Sequence, residues 1–419
     1  RDFCLSRGLG DVYKRQLVAC SNGDSGISSG LPDKPSAEED SPGTETISEE
    51  MRVKITGEDL YISAKLDAKT DILYWFKKCM FNELFTFYRV GTIDNNMPAP
   101  ATLPDVSPTS LLNLAYSDNI GPFNITGYGW CGGNHPYLDE VTQTARNIGY
   151  RIYIDGKEIK TDLSTLTKEI KIEVINEIMN PSKADTSSGK TLLNEILCIE
   201  TVNYSIYRNN IQVLVTHEFQ NESPVTVQMY YGMQSMFDKE THTLTANGKY
   251  VDWTVQKDVS TFTKKEYPSF RRFIEKSANA YQSSYLFADG LGNHEEISDD
   301  DIIFIGNSSN KTYHKIIADR EHKKGDIIHW SGVYTWFKSP VSDDDDLLCY
   351  EGVIDNKKVL FIDCKKSVDR TIQLPVDYTK KSFTIIEKSK SITITGNKVT
   401  AKGLRIVSDG SGSCVITFD

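Results

Sequence analysis

The sequence contains no CxxC pair: its eight cysteines, Cys4, Cys20, Cys79, Cys131, Cys198, Cys349, Cys364 and Cys414, all stand singly. That spacing excludes zinc-ribbon sites and leaves no disulfide framework to read. Most of these cysteines are therefore expected as small buried apolar residues. The seven histidines include no HExxH or other close ligand spacing, so no metal and no cofactor is expected. Surface or core roles are assigned to His242, His294, His314, His322 and His329. No G-x-S-x-G elbow sits between a strand and a helix, which argues against a serine hydrolase. No apolar run reaches the roughly 18 residues of a membrane-spanning helix. Positive charge is also in deficit, with 47 Lys and Arg against 58 Asp and Glu and a formal net charge of -11. A nucleic-acid partner needs a basic surface and is not expected. An anionic substrate stays open, because a local basic pocket can sit on an acidic protein.

The first stretch, Arg1 to Gln16, has no initiator Met and resembles translated adapter read-through from metagenomic sequencing. It is set aside from fold reasoning. Leu17-Val18-Ala19-Cys20 follows and resembles the lipobox of bacterial lipoproteins. Residues 21 to 50 are rich in Ser, Gly, Pro and Glu, a composition that buries too little apolar surface to fold and behaves as a tether. The expectation is a signal peptide ending at Ala19, a lipid on Cys20, and a chain anchored to the bacterial outer membrane, facing the periplasm or the cell surface.

From Met51 onward, apolar and polar residues alternate. Val53 and Ile55, then Leu60 and Ile62, read as a first strand pair. Asp67 to Arg89 carries seven aromatics, Tyr74, Trp75, Phe76, Phe81, Phe85, Phe87 and Tyr88. It is either a helix and a strand or two buried strands, which periodicity alone does not decide. Further strands are read at 146–154, closed by the hairpin dipeptide Asp155-Gly156, and at 170–179, 198–206, 211–219 and 225–231. Later ones are read at 302–305, 311–317, 326–337 and 351–362. The acid runs Asp299 to Asp301 and Asp343 to Asp346 lack the ligand alternation of a calcium loop and read as solvated loops. Branched and aromatic residues broken by turn signals about every ten positions predict an all-β chain. The predicted architecture is a large antiparallel β sandwich over 51–338, with a small C-terminal β domain over 339–419.

One segment departs from this pattern. Gly127-Tyr128-Gly129-Trp130-Cys131-Gly132-Gly133-Asn134-His135-Pro136-Tyr137 holds four glycines and a proline in eleven positions, which no regular helix tolerates. It reads as a shaped loop carrying aromatics, an amide and a titratable imidazole, the equipment of a site on a rigid scaffold. A second polar cluster is Thr216-His217-Glu218-Phe219 with Tyr230-Tyr231-Gly232. Strand alternation puts His217 on one face with Val215 and Phe219 and Glu218 on the other, and it splits Tyr230 from Tyr231.

Long strands ending in Asn221-Glu222-Ser223-Pro224, followed by a strand and Tyr230-Tyr231-Gly232, resemble the galactose-mutarotase-type supersandwich, which several polysaccharide lyases also use. Ile120-Gly121-Pro122 with Gly132-Gly133-Asn134-His135 is similar also to β domains of phage tail fibres and secreted gut-bacterial proteins. The resemblance spans Tyr116 to Phe237 and implies a polysaccharide or oligosaccharide ligand. Lyase-type β-elimination needs a base, an acid and a carboxylate neutraliser. On this reading Asn134 neutralises, His135 or His217 is the base, and Tyr231 is the acid. Trp130, Tyr128, Tyr137 and Arg146 bind substrate. The same aromatics equally suit a glycan-binding protein that does not cleave. A purely structural role for the loop and for His217 also stays open. Glycoside hydrolysis would need two carboxylates roughly 5 to 10 Å apart, and the sequence marks no such pair. Expressed with its natural upstream sequence, the membrane-fraction protein is expected to show a lipid-modified Cys20 by mass spectrometry; an unmodified Cys20 contradicts the anchor.

Overall fold

The computed structural model describes residues 47–102, 112–116, 120–237, 241–245, 250–252, 260–262, 272–277, 280–287, 303–306 and 311–418. Cys20, its flanking stretches, His294 and Asp299 to Asp301 lie outside the described residues. Among the described residues there is no α-helix, and the chain is all-β with antiparallel pairing throughout. The ambiguous aromatic stretch forms two strands, Thr70–Cys79 and Leu84–Asp94, with the inward residues Tyr74, Phe76, Phe85 and Phe87 buried and Trp75, Lys77, Tyr88 and Arg89 on the partly exposed outer side.

A ten-stranded sheet forms the backbone of the fold. Across its middle run Ile327–Phe337, Asn210–Phe219, Ile196–Tyr207, Ile170–Met179 and Ala145–Ile154. Along Asn210–Phe219 the alternation is regular: Val213, Val215, His217 and Phe219 are buried, while Leu214 and Glu218 are exposed. Two six-stranded sheets cover that buried face. The first runs from Leu163–Thr167 through Met51–Thr56, Asp59–Asp67, Thr70–Cys79 and Leu84–Asp94 to Leu112–Tyr116. It interlocks by rings, with Phe76 on Tyr204 (5.4 Å between centroids), Phe87 on Tyr334 (5.7 Å) and Tyr74 on Trp336 (5.5 Å). The second includes Lys311–His322, Val225–Met236, Phe123–Ile125 and Gly129–Cys131. It docks through Phe123 against His217 and through the Trp330 indole N–H, which donates to the Tyr230 hydroxyl at 2.8 Å.

The C-terminal residues build a five-stranded sheet, Ser342–Asp343, Leu347–Ile354, Lys357–Cys364, Gly412–Phe418 and Phe383–Lys388, and a three-stranded one. The segment read as one strand over 351–362 is a hairpin turning at Asp355-Asn356, both residues in the left-handed region. The two C-terminal sheets enclose a core of their own around Leu360, Ile362, Ile392 and Ile406. Tyr350, Phe361 and Val415 also pack against Val333, Phe337 and Ile274 on the opposite face of the long sheet. Arg272 crosses this junction and donates to Asp363 at 2.6 Å, both side chains 2% exposed. Burial pushes the Asp363 carboxyl up, and the guanidinium pulls it partly back. Residues 45–419 form one compact unit. The second acid run lies at the surface, with Asp343 and Asp345 exposed, and it carries ion pairs: Asp343 with Lys276 and Lys365, Asp344 with Arg370 and Asp346 with Lys366.

Candidate functional site

The glycine loop begins as a tight hairpin. Phe123–Ile125 turns back into Gly129–Cys131, with the Tyr128 N–H donating to the Ile125 carbonyl at 2.9 Å. Gly132 and Gly133 then take φ of +78° and +49°, a backbone region that costs side-chain-bearing residues free energy. The turn they make is held from below by Asn82, which is 2% exposed. Its amide nitrogen donates to the carbonyls of Gly133 (2.9 Å) and His135 (3.1 Å), and its oxygen accepts from the N–H of Thr144 (3.0 Å). Thr144 completes the latch, its hydroxyl oxygen accepting from Gly132 N–H at 3.0 Å and donating to the His135 carbonyl. The Asn134 side-chain oxygen accepts from Phe81 N–H at 2.7 Å, so one function of Asn134 is to tie the loop to the 80–83 turn.

Above this latch the aromatics meet. The Trp130 indole lies 5.3 Å from the His135 ring and 5.9 Å from the Tyr231 ring, at interplanar angles of 26° and 23°. Tyr231 comes from a different strand, and its placement depends on Gly121. A Cβ at Gly121 would lie 1.7 Å from the Tyr231 carbonyl oxygen, and its φ is +76°. The neighbouring Tyr230 points inward, is fully buried and donates its hydroxyl to the Ile120 carbonyl at 2.8 Å. The split between the two tyrosines is thus as alternation predicts. Tyr137 is half-buried and Tyr128 is 43% exposed. Arg146 lies on the strand after the loop, exposed and paired with Glu177. Burial pushes the Cys131 thiol well up, so it serves as packing rather than as a nucleophile.

His217 stands apart from this group. It is fully buried, with Nε2 2.9 Å from Glu200 Oε2, and its ring meets Phe123 and Tyr230 edge-on. Glu200 also accepts from Asn176 (2.9 Å), and Asn176 accepts from Asn147 (2.9 Å). These four residues sit side by side on four adjacent strands, in direct register from Asn147 to Asn176, Glu200 and His217. Between this polar ladder and the loop lies a cavity of about 30 Å³, lined among others by Asn134, Gly133, Thr86, Tyr204, Asn176 and Glu200. That is room for about one water and no sugar. The structure therefore brings His135, Tyr231 and Trp130 together and leaves His217 sealed behind them.

Sequence reasoning did not single out Asn82, Asn176 or Glu200. The last two carried a signal, since each occupies an inward position of an alternating strand where an apolar residue is the rule. A second concavity, about 270 Å³, opens between the Gly57 turn and the hairpin at 154–157, lined by Asp59, Tyr150, Arg151, Glu158, Lys160 and Asp162. None of the residues predicted for the site lines it.

No family model matches the sequence, and no curated protein matches it. Among solved structures, the chain is similar to the galactosidase domain of an α-galactosidase–sucrose kinase, at 9% identity and a TM-score of 0.38, over 69% of this chain and 42% of that one. An α-galactosidase of Geobacillus stearothermophilus gives 9% and 0.37, over 69% and 41%. A polysaccharide lyase gives 8% and 0.25, over 82% and 42%. The chain spans about four-tenths of the length of these proteins. Every one of these scores is below 0.5.

Replacing Asn82 removes its bonds to four backbone groups, the Gly133 and His135 carbonyls and the Thr144 and Ala145 N–H groups, each worth on the order of 1 kcal/mol. Asn82→Ala is expected to lower the unfolding free energy by about 3 kcal/mol in urea titration. A loss below about 1 kcal/mol contradicts the latch.

Proposed function

We propose that this chain recognises a polysaccharide or oligosaccharide on the Trp130 stack. The observation that carries the reading is the contact of Trp130 with both His135 and Tyr231, on a loop whose backbone Asn82 and Thr144 hold in place. Rings fixed before the ligand arrives lose little conformational freedom on binding, which favours affinity. Aromatic faces beside a few placed polar groups are the usual composition of a small-molecule site. Tyr128 at the exposed hairpin tip extends the apolar rim. In the same proposal a lipid on Cys20 holds the protein at the bacterial outer membrane, a reading supported by Leu17-Val18-Ala19-Cys20 and the polar stretch after it.

A second reading is a lyase that cleaves acidic glycans by β-elimination. It is favoured by the placement of two titratable side chains, His135 and Tyr231, against one indole. His135 would remove the C5 proton and Tyr231 would protonate the leaving oxygen, with Asn134 beside the carboxylate. His217 has no place in this scheme, because its imidazole is enclosed with Glu200 and reaches no polymer.

One experiment separates the readings. The purified protein is titrated calorimetrically with acidic and neutral oligosaccharides while the absorbance of unsaturated uronate products is followed. Binding that is lost in Trp130→Ala, with no product, is the expected result. Product that disappears in both His135→Ala and Tyr231→Phe selects the lyase. Binding that survives Trp130→Ala undiminished overturns the assignment of the site.

A further inference from the structure

The outer face of the first sheet carries a feature that the loop site does not use. Direct register aligns Lys54, Tyr61, Trp75 and Arg89 across four neighbouring strands. Because strand alternation sends Val53, Leu60, Tyr74 and Val90 inward to the core, these four point the other way. Tyr61 stacks on Trp75 at 5.4 Å, and Trp75 meets Tyr88 edge-on at 5.0 Å. The pairing register shifts between Trp75 and Phe76, and this irregularity lets Tyr88 and Arg89 both contribute to the outer side.

The cations stand on these rings. Lys77, two residues beyond Trp75 on the same strand, holds its ammonium 4.3 Å from the Trp75 ring and 4.1 Å from the Tyr88 ring. The Arg89 guanidinium lies 5.2 Å from Tyr88. All of these residues, with Lys54, remain partly exposed. Cation–π contact restrains long side chains that would otherwise sample many rotamers, so two positive groups, Lys77 and Arg89, are held over a rigid aromatic base, with Lys54 in the same cross-strand row. Two carboxylates flank the row: Asp59 accepts from the Trp75 indole at 2.9 Å, and Glu58 pairs with Lys78 at 3.1 Å. On a chain of net charge -11, this is a local concentration of opposite sign.

We propose that this outer face is a second binding surface, for a linear acidic polysaccharide. The row spans three strand intervals, about 14 Å, which suits a chain whose carboxylates recur along its length better than one compact anion. Charge complementarity selects the polyanion, and the tyrosine and tryptophan rings supply apolar contact for sugar C–H groups. Nucleic acid shares the polyanionic character, but the overall acidity of the chain opposes its approach. The surface is independent of the Trp130 site and stands or falls separately from it.

The test uses the full chain carrying Trp130→Ala, so that the loop site does not contribute, in native gels containing polygalacturonate, with neutral dextran as the control. Retention by polygalacturonate is expected to persist, to weaken as salt is raised, and to fall about tenfold in affinity when Lys54→Gln, Lys77→Gln and Arg89→Gln are combined. Trp75→Leu, which keeps the charges, should weaken retention in the same direction. Absence of retention in the Trp130→Ala protein, unchanged retention in the triple variant, equal retention by dextran, or stronger capture of a single-stranded oligothymidylate would each overturn the proposal.

Discussion

The arrangement at the candidate site depends on one buried amide. Asn82 lies in the turn between two strands of the first sheet, yet its side chain bonds to the glycine loop and to the opening of the long sheet. It therefore joins the 80–83 turn, the glycine loop and the opening of the long sheet through one side chain. A loop with four glycines has large conformational freedom in the unfolded chain, and ordering it is costly. The latch of Asn82 and Thr144 offsets that cost by satisfying backbone groups that would otherwise be buried unpaired. The loop can then present Trp130 in one orientation, and the recognition reading needs that constancy.

Below the loop, the ladder Asn147–Asn176–Glu200–His217 shows how the sandwich accommodates polarity at its centre. A buried carboxylate is tolerated when its lone pairs are met, and Glu200 accepts from Asn176 on one oxygen and meets His217 on the other. The ladder lies on the floor of the site, separated from solvent by the loop and by Phe123 and Tyr230. Its geometry encloses His217 between Glu200, Phe123 and Tyr230, fully buried. The Arg272–Asp363 pair has a comparable position at the junction with the C-terminal sheets, where two buried charges fix one docking register.

Much of the strand content was legible in the alternation. His217 falls with Val215 and Phe219 and away from Glu218, Tyr230 is buried while Tyr231 is not, and Asp155-Gly156 turns with φ of +46° and +77°, the signs a type I′ hairpin requires. The ion pairs of the acid run at Asp343 to Asp346 were not legible, because its lysine and arginine partners are brought in by folding. The glycine loop was legible as a special backbone, and its aromatic character as well. What holds it was not, because Asn82 is a single polar residue in an aromatic stretch and its partners lie some fifty to sixty residues away. The same holds for the partners of Glu200, Asn176 and His217, and for the row from Lys54 to Arg89. Each of these becomes visible only when register is known across several strands, and register is a long-range property that local pattern constrains weakly.

The central claim is that the glycine loop is a fixed platform rather than a mobile connection. Amide hydrogen exchange resolved at Gly132, His135 and Tyr137 tests it most directly, since each of these N–H groups donates a hydrogen bond, to Thr144 Oγ1, the Gly132 carbonyl and the Thr142 carbonyl respectively. Protection approaching that of the flanking strands Phe123–Ile125 and Ala145–Ile154 is the expected result. Exchange at the rate of an open, solvated loop would contradict the account.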